Sequence, residues 1–117
     1  MFNRSRRAIE RLYRDKATIW GTEEYKDGSI TKVRRVIVEK LVPCKVSLRS
    51  QKAAERGVYA QIDYDAKLYL SPDISVPDGA DISVVGIDGR LTNYVGGRSF
   101  PYPNHQEIYL KYSDKVR

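Results

Sequence analysis

Apolar and polar residues alternate along most of this chain, and the alternation changes period once. Residues 3–15, "NRSRRAIERLYRD", carry a helical period. At about 100° per residue, Ile9, Leu12 and Tyr13 share a face with Phe2, and Arg4, Arg7, Arg11 and Arg14 share the opposite one. Asn3 or Ser5 can cap such a helix. It is too short to persist alone in water, so it must dock or order on binding. From Ala17 the period becomes that of strands. "ATIWGTEEY" (17–25) and "SITKVRRVIV" (29–38) are rich in β-branched and aromatic residues. Asp27-Gly28 between them is a strong hairpin signal. "VPCKVSLRS" (42–50) alternates Cys44, Val46 and Leu48 against Lys45, Ser47 and Arg49, and Pro43 predicts a strand start or a sheet edge.

Residues 50–61, "SQKAAERGVYAQ", break the pattern and predict a long loop. Among them Lys52 and Arg56 are charged, and only Val58 and Tyr59 are large and apolar. So little burial offsets the cost of ordering the segment. Alternation resumes at 62–71, with Ile62, Tyr64, Ala66, Leu68 and Leu70 against Asp63, Asp65, Lys67 and Tyr69. "PDISVPDGAD" (72–81) is a corner. "ISVVGI" (82–87) is a short strand, and Asp88-Gly89 turns it into "RLTNYVGG" (90–97). "RSFPYPN" is a rigid turn ahead of a last strand, "QEIYLKYS" (106–113). Short, closely spaced strands with one helix predict a mainly β fold: a small antiparallel β-barrel or sandwich over residues 17–117, preceded by a basic helix at 1–16. There is no internal repeat and no low-complexity tract.

Composition adds three points. The 117 residues are 41% hydrophobic, enough for one core. Nine are Tyr, a residue with β-propensity and a polar tip that suits thin sheets and interfaces. The net charge is +6, and six basic against two acidic residues put +4 of it in the first sixteen positions. A basic N-terminal segment on a nearly neutral body points to a polyanion or an acidic neighbour, or else to a solvated face. Cys44 is the lone cysteine, so no internal disulfide forms and a reducing compartment is expected. No stretch approaches the roughly 18 apolar residues of a membrane span. "MFNRSRR" is not followed by an apolar run, so no signal peptide is expected.

The chemistry-bearing residues are sparse. His105 is the single histidine and sits in "NHQE", which is not the HExxH zinc helix. There is no GxSxG, no P-loop and no paired Cys. The scattered Asp residues do not follow calcium-loop spacing and fit turns and solvated strand faces. No catalytic residue, metal or cofactor is therefore expected. His105 is expected to be a structural corner residue whose ring bonds nearby backbone.

Three stretches carry a family resemblance: "VPCKVS" at 42–47, "KLYLSPDISVPDGADISV" at 67–84 and "GGRSFPYPNHQEIYLK" at 96–111. Together they resemble the minor capsid family of tailed bacteriophages and of prophages in Gram-positive bacteria. They cover about forty residues, a third of the chain, in the family's order, and the last motif is the most specific. The chain departs from the pattern at Lys45, at Tyr69 and in "GRSF", and its Arg-rich start lies outside the motif.

The resemblance implies a virion protein of the neck at the head–tail junction, made in the bacterial host cytoplasm. Such head-completion or stopper-like proteins form rings of small β-barrels beneath the portal and gate the DNA channel. It implies portal or adaptor and tail proteins as neighbours, copies of itself in a ring, packaged DNA in the channel, and no membrane. It also implies a channel loop at 50–61, with Lys52, Arg56, Val58 and Tyr59. In "YPNHQE" it implies a fold signature in which Pro101 and Pro103 stiffen the corner and His105 and Glu107 tie it to the barrel. The competing expectation is an OB-like nucleic-acid-binding module, with Arg4, Arg7, Arg11 and Arg14 on phosphates and Tyr rings on bases.

Overall fold

The computed structural model describes residues 2–49 and 64–113. The expected loop at 50–61, with Lys52, Arg56, Val58 and Tyr59, lies outside the described residues. A helix, α1 (Phe2–Glu10), precedes six strands: β1 (Asp15–Asp27), β2 (Ile30–Leu48), β3 (Ala66–Leu70), β4 (Asp81–Val85), β5 (Leu91–Pro101) and β6 (Gln106–Tyr112). They close into a barrel in the order β1-β2-β3-β6-β5-β4, and every neighbouring pair is antiparallel. Of the two architectures expected, the barrel is the one formed. Closure pairs β4 with β1, from Lys16↔Val85 to Trp20↔Asp81.

The period-2 pattern places one residue in two inside. Ala66, Leu68 and Leu70 of β3, Ile82 and Val84 of β4, and Ile108 and Leu110 of β6 meet Ala17, Ile19, Cys44 and Tyr94 in one core. Each fully buried Leu or Ile contributes about 1.5–3 kcal/mol relative to an exposed one. The interior is narrow enough to constrain the backbone. A Cβ at Gly96 would lie 2.9 Å from Ile82 Cδ1 and 3.4 Å from Ile108 Cγ2. Between Gly96 and Ser99, β5 carries an extra residue against β6, a bulge that bends the wall.

Two expectations about elements change. The strands expected at 29–38 and 42–50 are one strand, β2. It carries two extra residues against β1, between the pairs Ala17↔Val42 and Ile19↔Glu39 and between Ile19↔Glu39 and Trp20↔Ile37. Leu41 takes a positive φ of 51° there, and its N–H donates to Thr18 Oγ1. Pro43 therefore does not start a strand, but it does sit on an edge, since β2 pairs with β3 only from Cys44 onward. It lies inside β2 opposite Lys16, just past the irregularity, where a missing N–H is tolerated. The helix expected over 3–15 ends at Glu10. One further turn follows, with Arg11 N–H donating to the Arg7 carbonyl, Leu12 to Ile9 and Tyr13 to Glu10.

Candidate functional site

Three features project from the barrel or lie on its surface: a β-hairpin arm, the docked N-terminal segment, and the "YPNHQE" corner.

β1 and β2 are longer than the barrel needs. Pairing of β1 with β4 stops at Trp20, and pairing of β2 with β3 begins at Cys44. Beyond these limits, residues 21–36 pair only with each other, from Gly21↔Val36 to Asp27↔Ile30. A two-residue loop, Gly28-Ser29, closes the arm, and Gly28 has φ 68°. That sign at the first loop position suits a type II′ turn, whose twist matches the strands. The arm is exposed on both faces. It is laced by ion pairs of Arg34 with Glu23 and of Lys32 with Asp27 (2.8 Å), and by Arg34 over the Tyr25 ring (5.1 Å). At its root Arg35 stacks 3.7 Å over Trp20 and lies 3.8 Å from Asp81. Ile30, Val33 and Ile37 are exposed, Val33 by 63%.

The arginine stripe fares unevenly. Arg7, Arg11 and Arg14 are exposed, and Arg14 falls beyond the last helical turn. The four arginines therefore do not form one helix face, because α1 stops at Glu10. Arg4 lies within α1. The arginine that does structural work is Arg6, which the stripe omits. Its guanidinium Nη2 donates to Ser71 Oγ (2.8 Å) and Asp73 Oδ2 (2.7 Å), pinning the helix to the corner after β3. Beside it Tyr13 is 8% exposed, and its hydroxyl has no partner among the described residues. Burial, with Glu10 and Cys44 adding to it, pushes that phenol up to about 12. Leu12, expected on the docking face, is 57% exposed. A cleft of about 270 Å³ lined by Ile9, Leu12, Tyr13, Lys45, Tyr69 and His105 brings the N-terminal turn beside the corner.

At that corner β5 ends at Pro101, and Tyr102 N–H donates to the His105 carbonyl, closing the turn around Pro103. The His105 ring contacts Asn104 Oδ1 through Nδ1 (2.7 Å) and Glu107 Oε2 through Nε2 (2.9 Å), and it stacks on Tyr102 with centroids 4.7 Å apart. The expected bonds to backbone are thus contacts with neighbouring side chains, because a ring this close to Asn104 and Glu107 finds its partners there. Through Glu107 the ring also reaches Lys67 of β3, 3.8 Å from Glu107 Oε1. A further tie from corner to barrel is made by Gln106, a motif residue that carried no expectation. Gln106 is 4% exposed. Its amide donates to the carbonyls of Ser71 (2.7 Å) and Ile74 (2.6 Å) and accepts from Ser99 Oγ (2.7 Å).

On the outer face of β3 and β6, Tyr64 and Tyr109 pack with centroids 4.7 Å apart, and Phe100 meets Tyr109 at 5.5 Å. Lys67 lies 5.2 Å over Tyr109 and 3.8 Å from Glu107. Burial works against its charge, but Tyr109, Tyr69, Glu107 and Tyr64 together raise its pKa. Cys44 is fully buried, and burial, reinforced by Asp15 and opposed by Lys16, pushes its thiol up to about 12. Among the described residues no three His, Cys, Asp or Glu side chains gather as a metal site requires, and no helix is long and apolar enough to cross a membrane.

No family model matches the chain, and no curated protein matches it. Among solved structures it is similar to protein SF1141 from Shigella flexneri 2a, a solution structure. The TM-score is 0.64 at 16% identity, over 89% of this chain and 96% of that one. At that identity the likeness shows a shared fold.

Proposed function

We propose that the chain is a structural subunit of a tailed-phage virion, a head-completion or stopper-like connector that forms a ring between the portal vertex and the tail. Its neighbours in this reading are portal or adaptor and tail proteins, further copies of itself, and the DNA in the channel. The reading starts from the resemblance of residues 42–47, 67–84 and 96–111 to phage minor capsid proteins. The observation that carries it is the arm. A closed barrel abolishes its own strand edges and so resists association through the sheet. This barrel then extends a hairpin with two open edges and exposed Ile30 and Val33, with Ile37 exposed at its root, which serves a subunit that must reach a neighbour. Charged side chains on the same hairpin keep the free chain soluble.

A second reading, a nucleic-acid-binding module, draws on Lys67 and Arg49 over the rings of Tyr64 and Tyr109. Those rings already pack against one another, which leaves less face for bases. Cryo-electron microscopy of the parent particle tests the first reading: a ring of closed barrels with projecting hairpins is expected at the portal vertex. Absence of the chain from the neck, with tight and steeply salt-dependent binding of single strands in a gel shift, would replace it with the second.

A further inference from the structure

We propose that the arm is a strand-pairing element for a second copy of this chain, with the β2 edge of one arm adding to the β1 edge of the next. The inference rests on the ring reading and names the contact that builds the ring.

The first observation is the direction of the main chain. Asp27 and Ile30 close the two-residue turn, so they form a hydrogen-bonded pair, and in an antiparallel ladder such pairs alternate with non-bonded ones. Tyr25/Lys32, Glu23/Arg34 and Gly21/Val36 are then bonded inward. Thr22, Glu24 and Lys26 turn their N–H and C=O groups to the outer edge of β1, and Thr31, Val33 and Arg35 turn theirs to the outer edge of β2. No described strand pairs with either edge of the arm. Each edge therefore offers three residues of main chain to a partner strand.

The second observation is charge. On β1 the arm residues 21–27 carry Glu23, Glu24 and Asp27 against Lys26, a net of −2. On β2 the residues 30–36 carry Lys32, Arg34 and Arg35 and no acid, a net of +3. Pairing like edge with like edge sets equal charges against each other, which disfavours an isologous dimer. Pairing β1 of one copy with β2 of the next sets −2 against +3 and keeps the strands antiparallel. Exposed Glu24, which has no ion pair among the described residues, then meets the basic edge. The strand best matched to each edge is thus the other edge of an identical chain. Such a contact is head-to-tail, and where its rotation closes it generates a ring.

Sedimentation velocity of the full chain, over the concentration range its solubility allows and at low and high salt, tests this. The wild-type chain should shift to faster species as concentration rises, less so at high salt. Val33→Pro removes an outward N–H from the β2 edge and Glu24→Pro removes one from the β1 edge, both outside the hairpin's own ladder. An unchanged thermal midpoint checks that the barrel is intact. Each variant alone should lose every species beyond the monomer. A one-to-one mixture should stop at the dimer, because each chain retains the edge the other lacks. Glu24→Lys, which disturbs no bond within the arm, should weaken association about fivefold if either proline variant fails to fold. A chain that stays monomeric throughout, or association that these substitutions leave untouched, overturns the pairing. Rings that survive both proline changes overturn the arm contact alone. The place of the chain in the particle is then read independently by microscopy.

Discussion

Replacing Gln106 with Leu tests which residue of the "NHQE" corner holds the barrel. The side chain makes three hydrogen bonds, to the carbonyls of Ser71 and Ile74 and from Ser99 Oγ, and almost none of it is exposed. A neutral hydrogen bond contributes about 0.5–1.5 kcal/mol net, so three amount to roughly 3 kcal/mol. The Ser71 carbonyl keeps a second donor, the Ile74 N–H at 3.2 Å, so its loss is the mildest. The Ile74 carbonyl and the Ser99 hydroxyl are left short. Leu has a similar volume and returns some apolar burial, so a net loss of about 2–3 kcal/mol is expected, a large part of the roughly 5–15 kcal/mol that holds a domain together. Gln106→Glu should cost more, since it removes both donated bonds and buries a carboxylate against two carbonyls.

Urea unfolding is the assay, with the midpoint moved and the slope unchanged. Because Ser71 also receives Arg6, Gln106→Leu and Arg6→Ala should couple by at least about 0.5 kcal/mol in a double-mutant cycle. A loss below about 1 kcal/mol, or a Glu variant more stable than the Leu variant, would refute the assignment.

Other outcomes follow from the same geometry. His105→Ala should lose about 1 kcal/mol in urea unfolding, less than Gln106→Leu, because its partners Asn104 and Glu107 reach solvent once it is gone. Cys44 should react with a thiol-directed alkylating reagent only as fast as the barrel opens, since the thiol is fully buried and its pKa is pushed up to about 12. Tyr13 and Cys44 have raised pKa values in the folded chain, so the stability they favour is complete below their ordinary values of 10.0 and 9.0 and is lost as pH rises toward about 12. A urea midpoint that holds constant from pH 9 to 12 would contradict that sign. Changing exposed Arg7, Arg11 and Arg14 to Glu should leave the thermal midpoint within a few degrees and, in the proposed connector role, block particle completion. Particles that fill and retain DNA normally would make these arginines a solvated surface.

Alternation at 66–70 and 106–112 and the turns signalled by Asp27-Gly28, one residue before the observed Gly28-Ser29 loop, and by Asp88-Gly89 were legible in the sequence, because side-chain period and turn chemistry are local properties. They were enough for a mainly β fold with a short helix in front. Which strands meet is not a local property. The pairings β3–β6 and β4–β1 that close the barrel join residues far apart in the chain, and an alternating strand states which side it buries but not beside whom. The same limit hid the arm. Residues 21–36 read like any half-buried hairpin, and only the ends of the β4 and β3 ladders, at Trp20 and Cys44, leave both its edges open.

β2 read as two strands because Pro43 is a valid strand-start signal, whereas the two extra residues that β2 itself carries against β1 between Val42 and Ile37 let the strand run on without a break. In the N-terminal helix, charge spacing drew attention to Arg4, Arg7, Arg11 and Arg14, whereas docking fell to Arg6, because Ser71 and Asp73 happen to lie within its reach. His105 stood out in the sequence by rarity, whereas Gln106, the most buried polar residue of the corner, did not. A neutral amide carries no signal in composition or charge, and its worth depends on the carbonyls that the tertiary fold delivers to it.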